Sequence, residues 1–133
     1  MNLPQIHGFL SVSVTLYILF VTLWLLWKHL RDQPLDGNFW GVIWTGEILF
    51  GVQTLLGIIL LITVGFPSQW VHLLYGFLTP LIWPATAGYL REQPDDIVTV
   101  PLIGKARRHV LIWFVVSAFL FGITLRARFT GLP

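Results

Sequence analysis

The chain has 133 residues, of which 56% are hydrophobic and 11% charged, with a mean hydropathy of +0.78. A soluble domain carries charge on roughly a quarter of its residues, so this composition is that of an integral membrane protein. Cysteine is absent, which excludes disulfides, thiolate zinc sites, cysteine-ligated iron–sulfur clusters and covalently attached c-type haem. The net charge of +2, with basic residues gathered at the ends of apolar runs, gives no reason to expect nucleic acid as a partner.

The first apolar run covers about residues 3–27, with no charged side chain before Lys28. At ~1.5 Å per residue it exceeds the ~30 Å hydrocarbon core of a bilayer. It lacks a basic lead-in and is too long for a cleavable signal peptide. Lys28, His29 and Arg31 follow it, and a basic cluster beside a span favours the cytoplasmic side, which puts the N-terminus outside. Residues 33–38 read as a short inner turn. The second span, about 39–64, is interrupted by Glu47 and Gln53 and contains Gly41, Gly46, Gly51 and Gly57, a glycine density that lets helices approach closely.

Residues 65–70 form an uncharged outer turn. The third span, about 71–89, contains Pro80 and Pro84; each removes a helical donor, so the helix is expected to bend and the carbonyls of Gly76 and Pro80 to need other partners. The longest loop, 91–108, carries Arg91, Lys105, Arg107 and Arg108 and is expected inside. The fourth span, about 109–125, ends at Arg126 and Arg128. In this topology the two arginines lie outside, against the positive-inside rule. The expectation is an all-α membrane protein: one domain of four transmembrane helices, up-down-up-down, with both termini on the extracytoplasmic side.

A weak internal repeat accompanies this pattern. Leu30-Arg31-Asp32-Gln33-Pro34 recurs as Leu90-Arg91-Glu92-Gln93-Pro94, Leu49-Phe50-Gly51 as Leu120-Phe121-Gly122, and Gly65-Phe66-Pro67 as Gly131-Leu132-Pro133. The offsets of 60, 71 and 66 preserve order but not spacing. A duplicated helical hairpin would give a parallel pseudo-twofold arrangement, with His7 corresponding to His72; convergent loop chemistry could produce part of the pattern.

His7 and His72 both fall near the outer face, on different helices. Two imidazoles at one depth in a bundle suit the two axial positions of a haem iron. Gly8 and Gly76 beside them leave room for a flat macrocycle, and Arg126 and Arg128 at the same end could pair with the anionic propionates. The alternative is that both histidines are interfacial residues and both arginines solvated or bound to lipid headgroups. Another histidine-bound metal would normally want three or four ligands, and two are visible.

With these residues in view, the chain resembles the small four-helix integral-membrane b-type cytochromes. The resemblance implies a non-covalently bound haem b, His7 and His72 as iron ligands, and electron transfer with a redox partner or other membrane subunits on the outer side. It departs from the dihaem members, which carry two histidines on each of two helices. His29 and His109 lie at the inner end among Lys28, Arg31, Arg107 and Arg108 and read as headgroup-level residues, with a second haem between them the other reading.

Glu47 is the remaining costly residue, about two turns from the inner end of its span, near the expected depth of Thr22 and Ser117. It is expected to hydrogen-bond a hydroxyl or an indole such as that of Trp44. With Gln53 it could form a proton relay or a quinone site, or it could simply fasten two helices. Small proton-coupled exporters with four helices place such an acid on the first helix, where this chain has none. Gln53, on the face of Gly46 and Gly57, is expected to hydrogen-bond across a helix interface. No nucleophile–base set or phosphate loop suggests an independent enzyme. The two classes that remain are a haem-binding electron carrier and a structural or accessory subunit of a larger respiratory or photosynthetic complex.

The cysteine-free background makes the topology directly testable. A cysteine at Ser68 should react with an impermeant thiol reagent on intact cells and one at Asp36 should not; the reverse pattern would invert the orientation.

Overall fold

The computed structural model describes residues 1–91 and 102–130, with side chains described for 1–90 and 108–130. Four helices account for nearly all of these: α1 (Leu3–Leu30), α2 (Gly37–Thr63), α3 (Val71–Arg91) and α4 (Leu102–Thr130). Strands are absent among the described residues. Each helix packs against two others: α1 on α2 and α4, and α3 on α2 and α4. The bundle is therefore a ring in which α1 and α3 lie on a diagonal.

Local chemistry sets the helix ends. Asn2 caps α1 in a capping box: its side-chain oxygen accepts from the backbone N–H of Gln5 at 3.0 Å, and Gln5 Oε1 accepts from that of Asn2 at 3.0 Å. Asp36 accepts from the N–H of Phe39 and caps α2. α2 ends where Gly65 takes a φ of +110°, the left-handed geometry that glycine adopts without a Cβ penalty. The helices overrun the apolar runs: α2 begins at Gly37, and α4 extends through Arg126 and Arg128. Capping sites, and not the last apolar residue, decide where a helix begins.

Three helices, α1, α2 and the Arg108–Thr130 part of α4, are long and apolar enough to cross a membrane, the make-up of a multi-pass integral membrane protein. α3 falls outside that set. Its His72, Tyr75, Thr79, Pro80, Trp83, Pro84 and Thr86 dilute its apolar residues. α3 nevertheless remains helical through both prolines. The carbonyl of Gly76, freed by Pro80, accepts a hydrogen bond from the Thr54 hydroxyl of α2 at 3.2 Å, so the missing helical donor is replaced from a neighbouring helix.

The core follows the helical period. Val14, Ile18, Val21 and Leu25 form a buried stripe on α1 and meet Phe39, Ile43 and Phe50 of α2, Trp83 and Leu90 of α3, and Trp113 and Leu120 of α4. Trp83 is the central piece: fully buried, it packs against Phe50 with ring centroids 5.1 Å apart and donates its indole N–H to Ser117 Oγ of α4 at 3.1 Å. Its six-membered ring lies in a notch on α2 made by the absence of a side chain at Gly46. Most threonine hydroxyls return to their own helix: Thr15 to Ser11, Thr22 to Ile18, Thr79 to Tyr75 and Thr86 to Ile82, which satisfies them inside an apolar bundle.

The connection between α1 and α2 is closed by Lys28. Its buried side chain lies 3.8 Å from the Asp36 carboxylate, 3.4 Å from the Pro34 carbonyl and 4.9 Å from the centre of the Trp24 ring. The second copies of two repeat motifs, at 92–94 and 131–133, lie outside the described residues. Gly46→Ala should force Trp83 out of its notch and cost about 1–3 kcal/mol. A lowered midpoint of thermal unfolding in detergent would report it; an unchanged midpoint would mean that the notch is not a tight fit.

Candidate functional site

The end of the bundle opposite the α1–α2 connection joins the start of α1, the end of α2, the start of α3 and the end of α4. His7 lies one turn inside α1, where the Asn2–Gln5 capping box fixes the helix start. His72 is the second residue of α3. Although α1 and α3 do not pack on one another, the two imidazoles meet between them, with ring centroids 6.1 Å apart and planes at 74°.

Each ring has a different support. His72 Nδ1 lies 2.9 Å from the backbone carbonyl of Ala127 in the last turn of α4. The last four carbonyls of a helix lack intrahelical partners, so this oxygen is available, and the Thr130 hydroxyl also donates to it at 3.0 Å. Because a carbonyl only accepts, Nδ1 carries the proton and Nε2 of the neutral ring holds the lone pair. A metal-binding histidine has this arrangement, with the second nitrogen donating to a fixed acceptor.

His7 is held from α2. The amide nitrogen of Gln53 donates to the His7 carbonyl at 3.2 Å and approaches the ring Nε2 at 3.5 Å. The carbonyl contact settles which end of the Gln53 amide is nitrogen. Gly57, one turn further on, brings α2 close enough that a Cβ there would lie 3.4 Å from His7 Cε1. His7 Nδ1 and Gln53 Oε1 are buried without hydrogen-bond partners. Leaving a buried polar group unsatisfied costs about 1–3 kcal/mol, which makes these two atoms a marked feature of this end of the bundle.

The other expected site residues are placed as follows. Gly8 and Gly76 face open space, since a Cβ at either would meet nothing within 4 Å. Arg126 and Arg128 flank Ala127, the residue that holds His72; both are exposed and neither forms an ion pair among the described residues. Glu47 stands apart, six residues or about 9 Å along α2 from Gln53. It is half-buried, and its Oε1 has no hydrogen-bond partner. The expected bond to Trp44 or a hydroxyl does not form: Trp44 is exposed, Thr22 donates to Ile18, and Ser117 receives Trp83. At the opposite end His29 is half-buried with Nδ1 unpartnered, and His109 is half-buried on α4.

The spacing of the two rings is compatible with a haem iron. Two imidazoles bound through nitrogen at about 2 Å on opposite sides of one metal place their ring centres roughly 6 Å apart, which matches the 6.1 Å found. A closed zinc-type site has less support, since the described residues contain no cluster of three or more histidine, aspartate or glutamate side chains. The sequence named Gly57 as a glycine of close helix approach and Gln53 as a cross-interface donor, but not Ala127, which acts through its backbone carbonyl, nor Thr54. Only the proline rule pointed to Gly76 as needing a donor. No family model matches the chain, and no curated protein or solved structure is significantly similar to it.

Proposed function

We propose that this protein is an integral-membrane haem b protein that carries electrons, alone or as a subunit of a larger membrane complex, with His7 and His72 as the two axial ligands. The observation that carries the reading is the 6.1 Å separation of two imidazoles supplied by diagonal helices. When bound, the haem supplies one-electron redox chemistry. The protein's residues orient and insulate it. Ala127 fixes the His72 tautomer, Gln53 ties His7 to α2, and Thr54 keeps α2 against α3 at the level of the site.

On this reading α3 is the fourth span. Its 21 residues are long enough at ~1.5 Å each to cross a ~30 Å core, and its proline-freed carbonyl is satisfied inside the bundle. The basic residues Lys28, Arg31 and Arg108 gather at one end and favour the cytoplasmic side there. The histidine pair and both termini are then extracytoplasmic. Arg126 and Arg128, exposed at the histidine end, would pair with the haem propionates. The partners are lipid, other membrane subunits and a redox protein on the outer side.

The purified protein from cells supplied with haem should show a low-spin spectrum, since two strong-field imidazoles fill both axial positions. His72→Ala should abolish it or leave a high-spin remnant, and His29→Ala should leave it unchanged. Colourless protein would reject the haem and favour the accessory-subunit reading. A low-spin spectrum retained in the His7→Ala/His72→Ala double variant would reject the ligands and keep the cofactor.

A further inference from the structure

We propose that the two ligands are unequal by construction: His7 is the exchangeable one, and Gln53 is the hydrogen-bond donor to a small neutral diatomic ligand that replaces it on ferrous haem. The proposal rests on the haem reading above. His72 is anchored through Nδ1 to a carbonyl that is itself held by Thr130, an arrangement that fixes a ligand histidine and raises its basicity. His7 has no such support: its Nδ1 is buried without a hydrogen-bond partner among the described residues, and the Gln53 amide lies 3.5 Å from its Nε2, at the limit of a hydrogen bond.

The position of Gln53 gives the exchange its second half. Its amide is tied to the backbone carbonyl of His7, not to the imidazole, so the donor stays in place when the ring rotates away. Gly57 brings the α2 backbone against that ring, a Cβ there lying 3.4 Å from His7 Cε1. In the exchange the dative bond from the His7 nitrogen to iron breaks and one from the incoming ligand forms. No electron is transferred in that step, the ferrous state having been produced by a one-electron reductant. Gln53 can only donate from the nitrogen that faces the ring, which suits a ligand that gains negative character at its outer atom, as carbon monoxide and nitric oxide do on ferrous iron.

The test uses the full-length protein in detergent, reduced with dithionite and mixed with carbon monoxide. The wild type should form a carbon monoxide adduct at a rate that saturates with gas concentration, because release of His7 becomes limiting. His7→Ala should bind faster, with a rate linear in concentration. Gln53→Leu should keep the low-spin spectrum before the gas is added and raise the C–O stretching frequency of the adduct, through loss of the donor; Gln53→Glu, of nearly the same size, should also shift it if the leucine variant fails to assemble. Low-spin haem that refuses carbon monoxide, or a stretching frequency unmoved by both Gln53 substitutions, would overturn this proposal and leave the haem reading intact. Colourless protein would overturn both.

Discussion

In an apolar medium every polar group must find its partner inside the protein, and the hydrogen bonds of this bundle follow that constraint. Pro80 frees a carbonyl on α3 and Thr54 answers it from α2. The carbonyls at the end of α4 have no further turn to bond to, and His72 takes one of them. The Trp83 indole needs an acceptor and finds Ser117. Each of these bonds joins two helices, so the same requirement that satisfies the backbone also fixes the relative positions of α2, α3 and α4. Against that background four buried atoms lack a hydrogen-bond partner among the described residues, and two of them, His7 Nδ1 and Gln53 Oε1, lie together at the histidine end.

The packing explains how two residues on non-adjacent helices come together. Trp83 occupies the Gly46 notch and contacts both α2 and α4, which sets how closely the ring of helices closes near its middle. The histidine end is then spanned by side chains alone: His7 from α1 and His72 from α3 reach into the same space, with Gln53 and Ala127 supporting them from the two helices between. On the proposed haem reading such a site would gain from this arrangement, because four helices and not one hairpin hold the two histidines. The asymmetry of their support is a separate property, which could differ while the pairing stayed the same.

Much of the architecture was legible in the sequence because it depends on composition and period. Four apolar stretches separated by turn residues gave four helices, and the basic clusters marked one end. The pairing of His7 with His72 was legible from depth alone, since an up-down-up-down chain returns the starts of its first and third helices to the same side. Helix limits were read less well, because Asp36 and the basic start of α4 extend helices into polar sequence that looked like loop. The supports of the site were legible only in part, for a physical reason. Ala127 contributes only a backbone carbonyl, which does not depend on side-chain chemistry, whereas Gly57 and Gln53 were legible as a close-approach face of α2. Glu47 was expected to have a partner; its environment depends on side-chain rotation on several helices, which no linear spacing encodes.

The central proposal is that His7 and His72, whose rings stand at 74° to one another, bind one haem iron. Electron paramagnetic resonance of the oxidised, purified protein tests it most directly, because the anisotropy of low-spin ferric haem depends on the angle between its two axial imidazoles. The account predicts a single, strongly anisotropic low-spin signal from one haem per chain, lost in His72→Ala. A rhombic signal typical of near-parallel imidazoles, or the absence of any haem signal, would contradict it.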